Sequence, residues 1–514
     1  MTTSRAQDPP ADPPANVPAG VQTHARDEAY PDVRTLAADD AHRRQQRGTL
    51  QLLVSRGVFF ASAYVVAAIL ARALGPADYG TYGVIFSQLI WLEMLVHAGV
   101  PTATSKLIAG GRHDREEVAR AARLLLLGVA GILLATGWLF ASGLASLMRI
   151  ADGEWLYRLA LLDLPFAALY VSYEGLLYGR RRFGILAKAQ IAYGLFRVAI
   201  VFALTAVGLS VDRALMGMVL SSVAVCVLLA LWYPPRGIRA ARTTMAEVAR
   251  LAGPMGLCLI SGQILVNLDL WALKALWTGA GDVIGEYVGS LNLAKALLVI
   301  PTVQAGVLFS SVAWASASGD RRRAVRHIQE ATRFALVAAA AAGVILAANG
   351  SEVLSVLFSS AYAPGGRFLP LHVLGFALFA VLDVYANALM AVGRQRLVAA
   401  VLTGAVPVAW IGNVVLIPWI GPSGAAVSLV LAVSVALIVT GSLARLHFGS
   451  LSRGSTVARV LAASVVVWLA SEAIHMPGRW VVVKLALLGG LYLLTLLLLK
   501  EITVRDLGWG GTER

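Results

Sequence analysis

The chain is expected to be an all-α polytopic membrane protein of about fourteen transmembrane helices, arranged as two six-helix parallel-repeat bundles plus two C-terminal helices. Composition, apolar stretches of bilayer length and a set of motifs that occurs twice in the same order all point there. Of 514 residues, 58% are hydrophobic and 14% charged, against roughly 45–50% and about 25% in soluble domains. Water is therefore not the solvent for most of this chain. Apolar stretches of about 20 residues, each able to cross a hydrocarbon core of roughly 30 Å as a helix, recur from Gln51 to Lys500.

The spacing places spans at 52–73, 81–104, 122–147, 156–178, 185–207, 212–233, 251–276, 285–314, 333–358, 368–391, 397–419, 424–444, 457–475 and 480–499. The first 50 residues carry Pro9, Pro10, Pro13 and Pro14 among Asp, Arg, Gln and Ala, a composition that cannot bury a core. They are expected to form a disordered cytoplasmic tail. Residues 51–233 then form an N-terminal six-helix bundle, 234–250 a linker, 251–446 the second bundle, 447–500 helices 13 and 14, and 501–514 a tail.

A formal net charge of +14 would ordinarily raise nucleic acid as a partner. Here the Lys and Arg residues sit mostly in short connections, which is a topology signal, and no nucleic acid is expected. Alternate connections hold Lys106, Arg112 and Arg115; Arg180 to Arg182; Arg236, Arg239 and Arg242; Arg321 to Arg323 and Arg326; and Arg394, Arg396, Arg445 and Arg453. The opposite connections hold only Arg72, Arg149, Arg158, Arg213, Arg367 and Arg479. The positive-inside rule puts both termini in the cytoplasm.

Several chemistries have no support. There is no G-x-x-x-x-G-K-[ST] loop for a nucleotide. The two cysteines, Cys226 and Cys258, lie in apolar runs, where Cys behaves as a small hydrophobe. No metal or cofactor is expected. An integral-membrane glycan-processing enzyme would need a sizeable extramembrane loop with clustered catalytic residues, and the external connections are short.

The repeat has four anchors. Gly80-Thr81-Tyr82 matches Gly285-Glu286-Tyr287, Ala122-Arg123 matches Thr332-Arg333, Gly179-Arg180-Arg181-Arg182 matches Gly393-Arg394-Gln395-Arg396, and Gly208 matches Gly421. Six spans separate the copies, so both halves enter the membrane in the same direction. The symmetry axis then lies along the membrane normal, with a cavity between the bundles.

The runs Leu70-Ala71-Arg72-Ala73-Leu74-Gly75-Pro76-Ala77-Asp78-Tyr79-Gly80 and His97-Ala98-Gly99-Val100-Pro101 resemble the polysaccharide-transporter (Wzx-like oligosaccharide flippase) branch of the multidrug/oligosaccharidyl-lipid/polysaccharide (MOP) flippase superfamily. Asn413, Ile417-Pro418 and Gly421-Pro422-Ser423-Gly424-Ala425-Ala426 resemble the same branch. The resemblance covers roughly residues 50–500. It implies an inner-membrane flippase that moves a polyprenyl-diphosphate-linked oligosaccharide by alternating access. Lipid-linked oligosaccharide and membrane lipids would be its partners, alongside a polysaccharide polymerase and glycosyltransferases. An ion-coupled small-molecule exporter on the same fold is the alternative.

Charged residues deep in spans face a wet cavity or a partner, since each costs on the order of 3 kcal/mol at the bilayer centre. Arg197 lies about 18 Å into span 5 at 1.5 Å per residue. With Lys295 it is expected to bind the diphosphate, because a phosphate leaving water needs charge and donors; Arg56 and Lys274 are further candidates. Glu93 and His97 share a helix face by their i,i+4 spacing and form the expected proton-handling pair. Asp269 and Asp383 are further ion-coupling candidates. The alternative for Asp269 is a local pair with Lys274 or Lys295; for Asn387, on the Asp383 face with His372 three turns back, it is interhelical glue. Arg56, Asp163 and Glu174 are near enough to span ends to snorkel. Among Trp91, Trp271, Trp277, Trp314 and Trp410, most should be anchors or packing, with one or two able to stack on a sugar.

The topology predicts that residues 320–326 and the turn 279–282 lie on opposite sides of the membrane. Single cysteines placed in each, in a background lacking Cys226 and Cys258, should react with an impermeant maleimide from opposite sides. Labelling of both from one side would remove the fourteen-span arrangement.

Overall fold

The computed structural model describes residues 33–502, apart from 98, 111–113, 181, 235–240, 450, 452, 453, 475 and 477. Residues 1–32 and 503–514, with the loop cations Arg112, Arg181, Arg236, Arg239 and Arg453, therefore lie outside the described residues. The described chain is helical and contains no strand. The helices are α1 Val33–His97, α2 Val100–Gly110, α3 Arg115–Leu147, α4 Gly153–Leu161, α5 Asp163–Gly179, α6 Phe183–Thr205, α7 Val211–Trp232, α8 Arg242–Leu265, α9 Leu268–Leu276, α10 Gly281–Ala294, α11 Val299–Ala317, α12 Arg321–Ala348, α13 Gly350–Leu357, α14 Leu369–Ala391, α15 Gln395–Ile420, α16 Pro422–Phe448, α17 Gly454–Ala473 and α18 Val481–Leu498.

Among the described residues twelve helical stretches are long and apolar enough to cross a membrane, or thirteen if the pair within Arg242–Leu265, bent by 47°, is one span. The first of them, Val54–Ile108, has 55 residues, or about 80 Å at 1.5 Å per residue. It is two spans. Its backbone breaks at Gly75, whose φ of 75° is open to glycine and strained for other residues, with Pro76 beginning the next helix. With this division the stretches number thirteen, or fourteen if the bent pair is one span.

Two boundaries differ from the sequence expectation. Helix α1 begins at Val33, inside the segment expected to lack structure, where residues 33–50 contain no proline and are rich in Ala, Arg, Gln and Leu, good helix formers. The chain up to residue 49 is a unit of its own. Helix α8 likewise begins at Arg242, within the expected linker 234–250.

The repeat reappears as packing. In the first half α3 packs on α5, α5 on α7 and α6 on α7; in the second, α12 packs on α14, α14 on α16 and α15 on α16. Connections on the arginine-rich side are fastened by caps: Asp114 accepts from the Glu116 and Glu117 amides, and Asp320 from the Arg323 amide at 2.9 Å. Helices α17 and α18 pack on each other and on α12.

The halves meet where the sequence repeat begins. A Cβ on Gly80 would stand 2.7 Å from the Gly285 amide nitrogen, and one on Gly285 would fall inside the Pro76 carbonyl. Tyr79 beside this contact lies between Phe358 and Tyr362, with ring centroids 6.0 and 5.8 Å away, and its hydroxyl accepts from Asn292 Nδ2 at 3.1 Å. Tyr362 donates to the Ala71 carbonyl at 2.9 Å, and Arg72 donates to the Val356 and Leu357 carbonyls at the end of α13. Two glycines and a set of buried aromatics thus close the halves together away from the arginine-rich connections.

This contact has no room for a side chain. Gly285→Val should lower the thermal midpoint in detergent, since overpacking costs about 1–3 kcal/mol. Gly404→Val, at a helical glycine with nothing within 4 Å of its added carbon, is the comparison. Equal midpoints for the two variants would contradict the close approach.

Candidate functional site: a charged cavity between the two halves

Between the halves lies a cavity of about 590 Å³, within the range of ligand-binding pockets. It runs from exposed Arg56 and half-buried His97 and Glu174, at the end bearing the arginine-rich connections, to buried Leu70 and Tyr79 beneath the glycine contact. Arg56 donates to the Tyr178 hydroxyl at 3.3 Å, just before the Gly179–Arg182 connection. The cavity mouth therefore faces the basic side.

Four helices of the first half bring a charge cluster to its wall. Glu93 comes from α1, Asp163 from α5, Arg197 from α6 and Ser222 from α7. The Glu93 and Asp163 carboxyls act on each other and on Arg197 through charge. The Arg197 guanidinium lies 5.2 Å from the Phe86 ring centroid. Tyr193 shares a 3.1 Å hydrogen bond with Ser222. Asp163 is only 2% exposed.

The second half contributes Lys295, at the C-terminal end of α10 where a 3-10 turn, Lys295–Leu298, interrupts the helix before α11. A cation suits a helix C-terminus. Lys295 Nζ donates to Asn267 Oδ1 at 2.7 Å, and Asn267 stands at the break between α8 and α9. Ends of broken helices thus place Asp163, Asn267 and Lys295, the arrangement expected where backbone ends serve a buried polar site.

Of the expected site residues, Arg197, Lys295, Arg56, Glu93 and His97 line the cavity; Lys274, Asp269 and Asp383 do not. The expected Glu93–His97 pair is not formed. His97 Nε2 lies 3.7 Å from Glu174 on α5, and Glu93 turns to Asp163. Asp269 pairs neither with Lys274 nor directly with Lys295: its Oδ2 accepts from Tyr287 at 2.6 Å and lies 3.8 Å from His372 Nε2, while Ser290 Oγ and His372 Nδ1 are 2.9 Å apart. Lys274, five residues on, projects to a different face of the helix. Although Ser290, His372 and Asp269 line up as nucleophile, base and acid would, exposures of 0–1% keep a substrate away, and the cluster binds α9, α10 and α14 together. Asp383 Oδ2 accepts from Asn387 at 2.8 Å within one helix.

Asp163 and Glu174, given snorkelling roles from sequence, both belong to the cavity wall. The missed signal was the start of α4 at Gly153 and its break at Leu162, which set Asp163 deeper than a single span from 156 implies. Trp91 and Trp271 pack edge to face at 5.9 Å, with Trp271 Nε1 donating to Ser87; neither lines the cavity. Cys226 and Cys258 are buried free thiols, and no cluster able to hold a metal ion occurs among the described residues.

The architecture is that of known membrane transporters. The chain superposes on lipid II flippase MurJ in an inward closed conformation with a TM-score of 0.72 and 13% identity, covering 89% of this chain and 99% of that one. It matches an inward-facing multidrug resistance MATE family transporter of the MOP superfamily with a TM-score of 0.63 and 17% identity, over 78% and 98% of the two chains. These likenesses establish the fold. In sequence, 186 residues are 26% identical to stage V sporulation protein B of Bacillus subtilis, covering 35% of this chain and 36% of that protein, so the match spans about a third of the relative's length. The family described as "Polysaccharide biosynthesis protein" matches residues 46–314, more than half of the chain, and this protein, with its many helices long and apolar enough to cross a membrane, belongs to that family.

Proposed function

We propose that the protein is an inner-membrane flippase that carries a polyprenyl-diphosphate-linked oligosaccharide across the bilayer by alternating access. The observation that carries this reading is one cavity lined by a cation from each half of the repeat, Arg197 and Lys295, and open toward the basic connections. With those connections in the cytoplasm, as charge bias indicates, the cavity faces the side where activated sugars are available. The family's description as a polysaccharide biosynthesis protein and the flippase named among its fold relatives support the same reading.

The chemistry is binding and release. A diphosphate entering the cavity loses hydration and needs charge and donors in return, which Arg197 and Lys295 supply from opposite walls. Asn292, Gln190 and the tyrosines of the wall offer hydrogen bonds to sugar hydroxyls, and the prenyl chain stays in lipid. Arg56 at the mouth is the first cation an arriving diphosphate meets. Separation of Gly80 from Gly285 and closure near Arg56 would then present the glycan to the other face. Glycosyltransferases that build the glycan and a polymerase that consumes it are the matching partners.

A second reading, an ion-coupled exporter of cationic small molecules, draws on Glu93, Asp163 and Glu174 in the same wall. The two readings part at Lys295, which has no carboxylate within 4 Å among the described residues and would repel a cationic drug.

Replacement of Arg197 or Lys295 by Ala should slow flipping of a labelled lipid-linked oligosaccharide in proteoliposomes by roughly ten- to a hundredfold, the loss of one charge-assisted contact. Flipping is scored per folded, inserted molecule, because loss of Arg197 also removes a partner of the helices around it. Full flipping by both variants, alongside export of a cationic dye by the wild type, would transfer the protein to the exporter class.

A further inference from the structure

A pyranose ring offers two chemistries at once: hydroxyls around its edge, and a face of C–H bonds that packs on an aromatic ring as other apolar surface does. A cavity that takes up a sugar together with a diphosphate therefore needs ring faces close to its cation. Among the described residues, every aromatic side chain lining this cavity comes from the first half and none from the second. The two walls are as unlike in aromatic content as in charge.

The deepest rings offer a ligand little surface. Tyr79 and Tyr82 are 1% and 4% exposed, and the half-buried Phe86 ring has the Arg197 guanidinium over it. Nearer the mouth, Phe59, Tyr170 and Tyr193 form a separate half-buried cluster. Tyr193 is its centre, with ring centroids 5.8 Å from Phe59 on α1 and 5.7 Å from Tyr170 on α5, at interplanar angles of 37° and 43°. Local contacts hold it there. A Cβ on Gly194 would stand 2.6 Å from Ser62 Oγ, so a glycine beside Tyr193 lets α6 lie close against α1. One turn before, Ser55 Oγ donates to Gln190 Oε1 at 2.7 Å, and the Tyr193 hydroxyl shares its 3.1 Å hydrogen bond with Ser222. Rings at these angles present a bent apolar surface, and the hydrogen-bonding side chains of Gln190 and Ser222 line the cavity beside it.

The place of this surface relative to the cation fixes what it can hold. Tyr193 and Arg197 share a face of α6 by their i,i+4 spacing and stand about 6 Å apart along its axis, close to the length of one pyranose. Helix α6 begins at Phe183, beside the arginine-rich connection, so the rings lie on the mouth side of the guanidinium. We propose that Phe59, Tyr170 and Tyr193 form a stacking platform for the first sugar on the diphosphate, by which the cavity selects a glycosylated diphosphate over one without a sugar ring. This deepens the flippase reading and rests on Arg197 as the diphosphate receptor. Stacking reads a ring face rather than a pattern of hydroxyls. The platform therefore accepts hexopyranoses as a class, and the choice among them falls to the polar groups beside it. Trp91 and Trp271, which pack on each other outside the cavity, have no part in it.

The test is calorimetry on the purified full chain with three farnesyl diphosphate diesters of equal charge that differ only in the second ester group: N-acetylglucosaminyl, methyl and glyceryl. The wild type should bind the N-acetylglucosaminyl diester about five- to tenfold more tightly than the methyl one, as an aromatic contact allows. The glyceryl diester, with hydroxyls but no ring face, should bind no better than the methyl one. Y193L should lower the N-acetylglucosaminyl diester to the level of the methyl one, whereas Y193F, which keeps the ring and loses the bond to Ser222, should retain most of the preference. Wild-type binding of the N-acetylglucosaminyl diester no tighter than that of the methyl or the glyceryl diester would overturn the platform while leaving the diphosphate site standing. So would a preference lost as fully in Y193F as in Y193L, which would assign it to the hydroxyl. Absence of wild-type binding to all three, or equal binding by R197A, would instead overturn the reading of Arg197 on which the platform rests. The comparison of ligands needs no variant, so the inference stays testable if Y193L does not fold.

Discussion

A guanidinium inside a hydrocarbon-surrounded bundle needs charge and hydrogen bonds around it, and the first half of this protein is arranged to supply them to Arg197. No single helix could. Phe86 meets it from α1, and Glu93 and Asp163 act on it through charge from α1 and α5, so the relative positions of α1, α5 and α6 are tied to the compensation of one cation. A buried group left without its partner costs several kcal/mol, more than most apolar contacts here contribute singly. Substitutions in this cluster are therefore structural as well as functional, and neutral replacements of matching shape separate the two better than truncation does.

The fold was legible because the bilayer constrains the sequence so strongly: apolar length gave the spans, and loop charge together with repeated Gly-Arg motifs gave their pairing. The site was legible only in part. Arg197 could be placed because a long span puts its middle far from either interface. The Glu93–His97 pair was drawn from the 3.6-residue period of one helix, but Glu93 meets its partner across helices, where no sequence spacing reports it. Asp163 was hidden by the break at Leu162. Helix interruptions at Asn267, Lys295 and Asn349 were equally invisible, since hydropathy carries on through a kink when the flanking residues remain apolar.

The repeat motif had a clearer physical meaning than its length suggested. Gly80 and Gly285 are corresponding positions in the two halves, and they are also the residues through which the halves touch. An axis along the membrane normal brings symmetry-related positions together only near itself, so a close contact between matched residues marks the line about which the halves are related. Glycine there lets two backbones approach without side chains between them. Such a contact is narrow and largely lacks interdigitated side chains, which favours opening as a unit. The Tyr79, Phe358 and Tyr362 rings beside it supply the apolar burial that keeps it shut in this state.

Symmetric backbones have nevertheless acquired unlike charges. The first half carries its cation with two carboxyls; the second carries Lys295 with only an amide oxygen within hydrogen-bond reach, and sequesters its own carboxylate, Asp269, beneath Tyr287 and His372. An anion crossing between the walls would meet one cation with carboxyl groups on the same wall and one that bonds an amide oxygen. The unencumbered cation is suited to capture, because no competing carboxylate slows the approach. If both walls had been compensated alike, the cavity would attract a diphosphate weakly; if neither had, two free cations would hold it too firmly to let it go on the other side. Unequal walls on a symmetric frame meet both demands of a carrier, which has to bind its cargo and then release it.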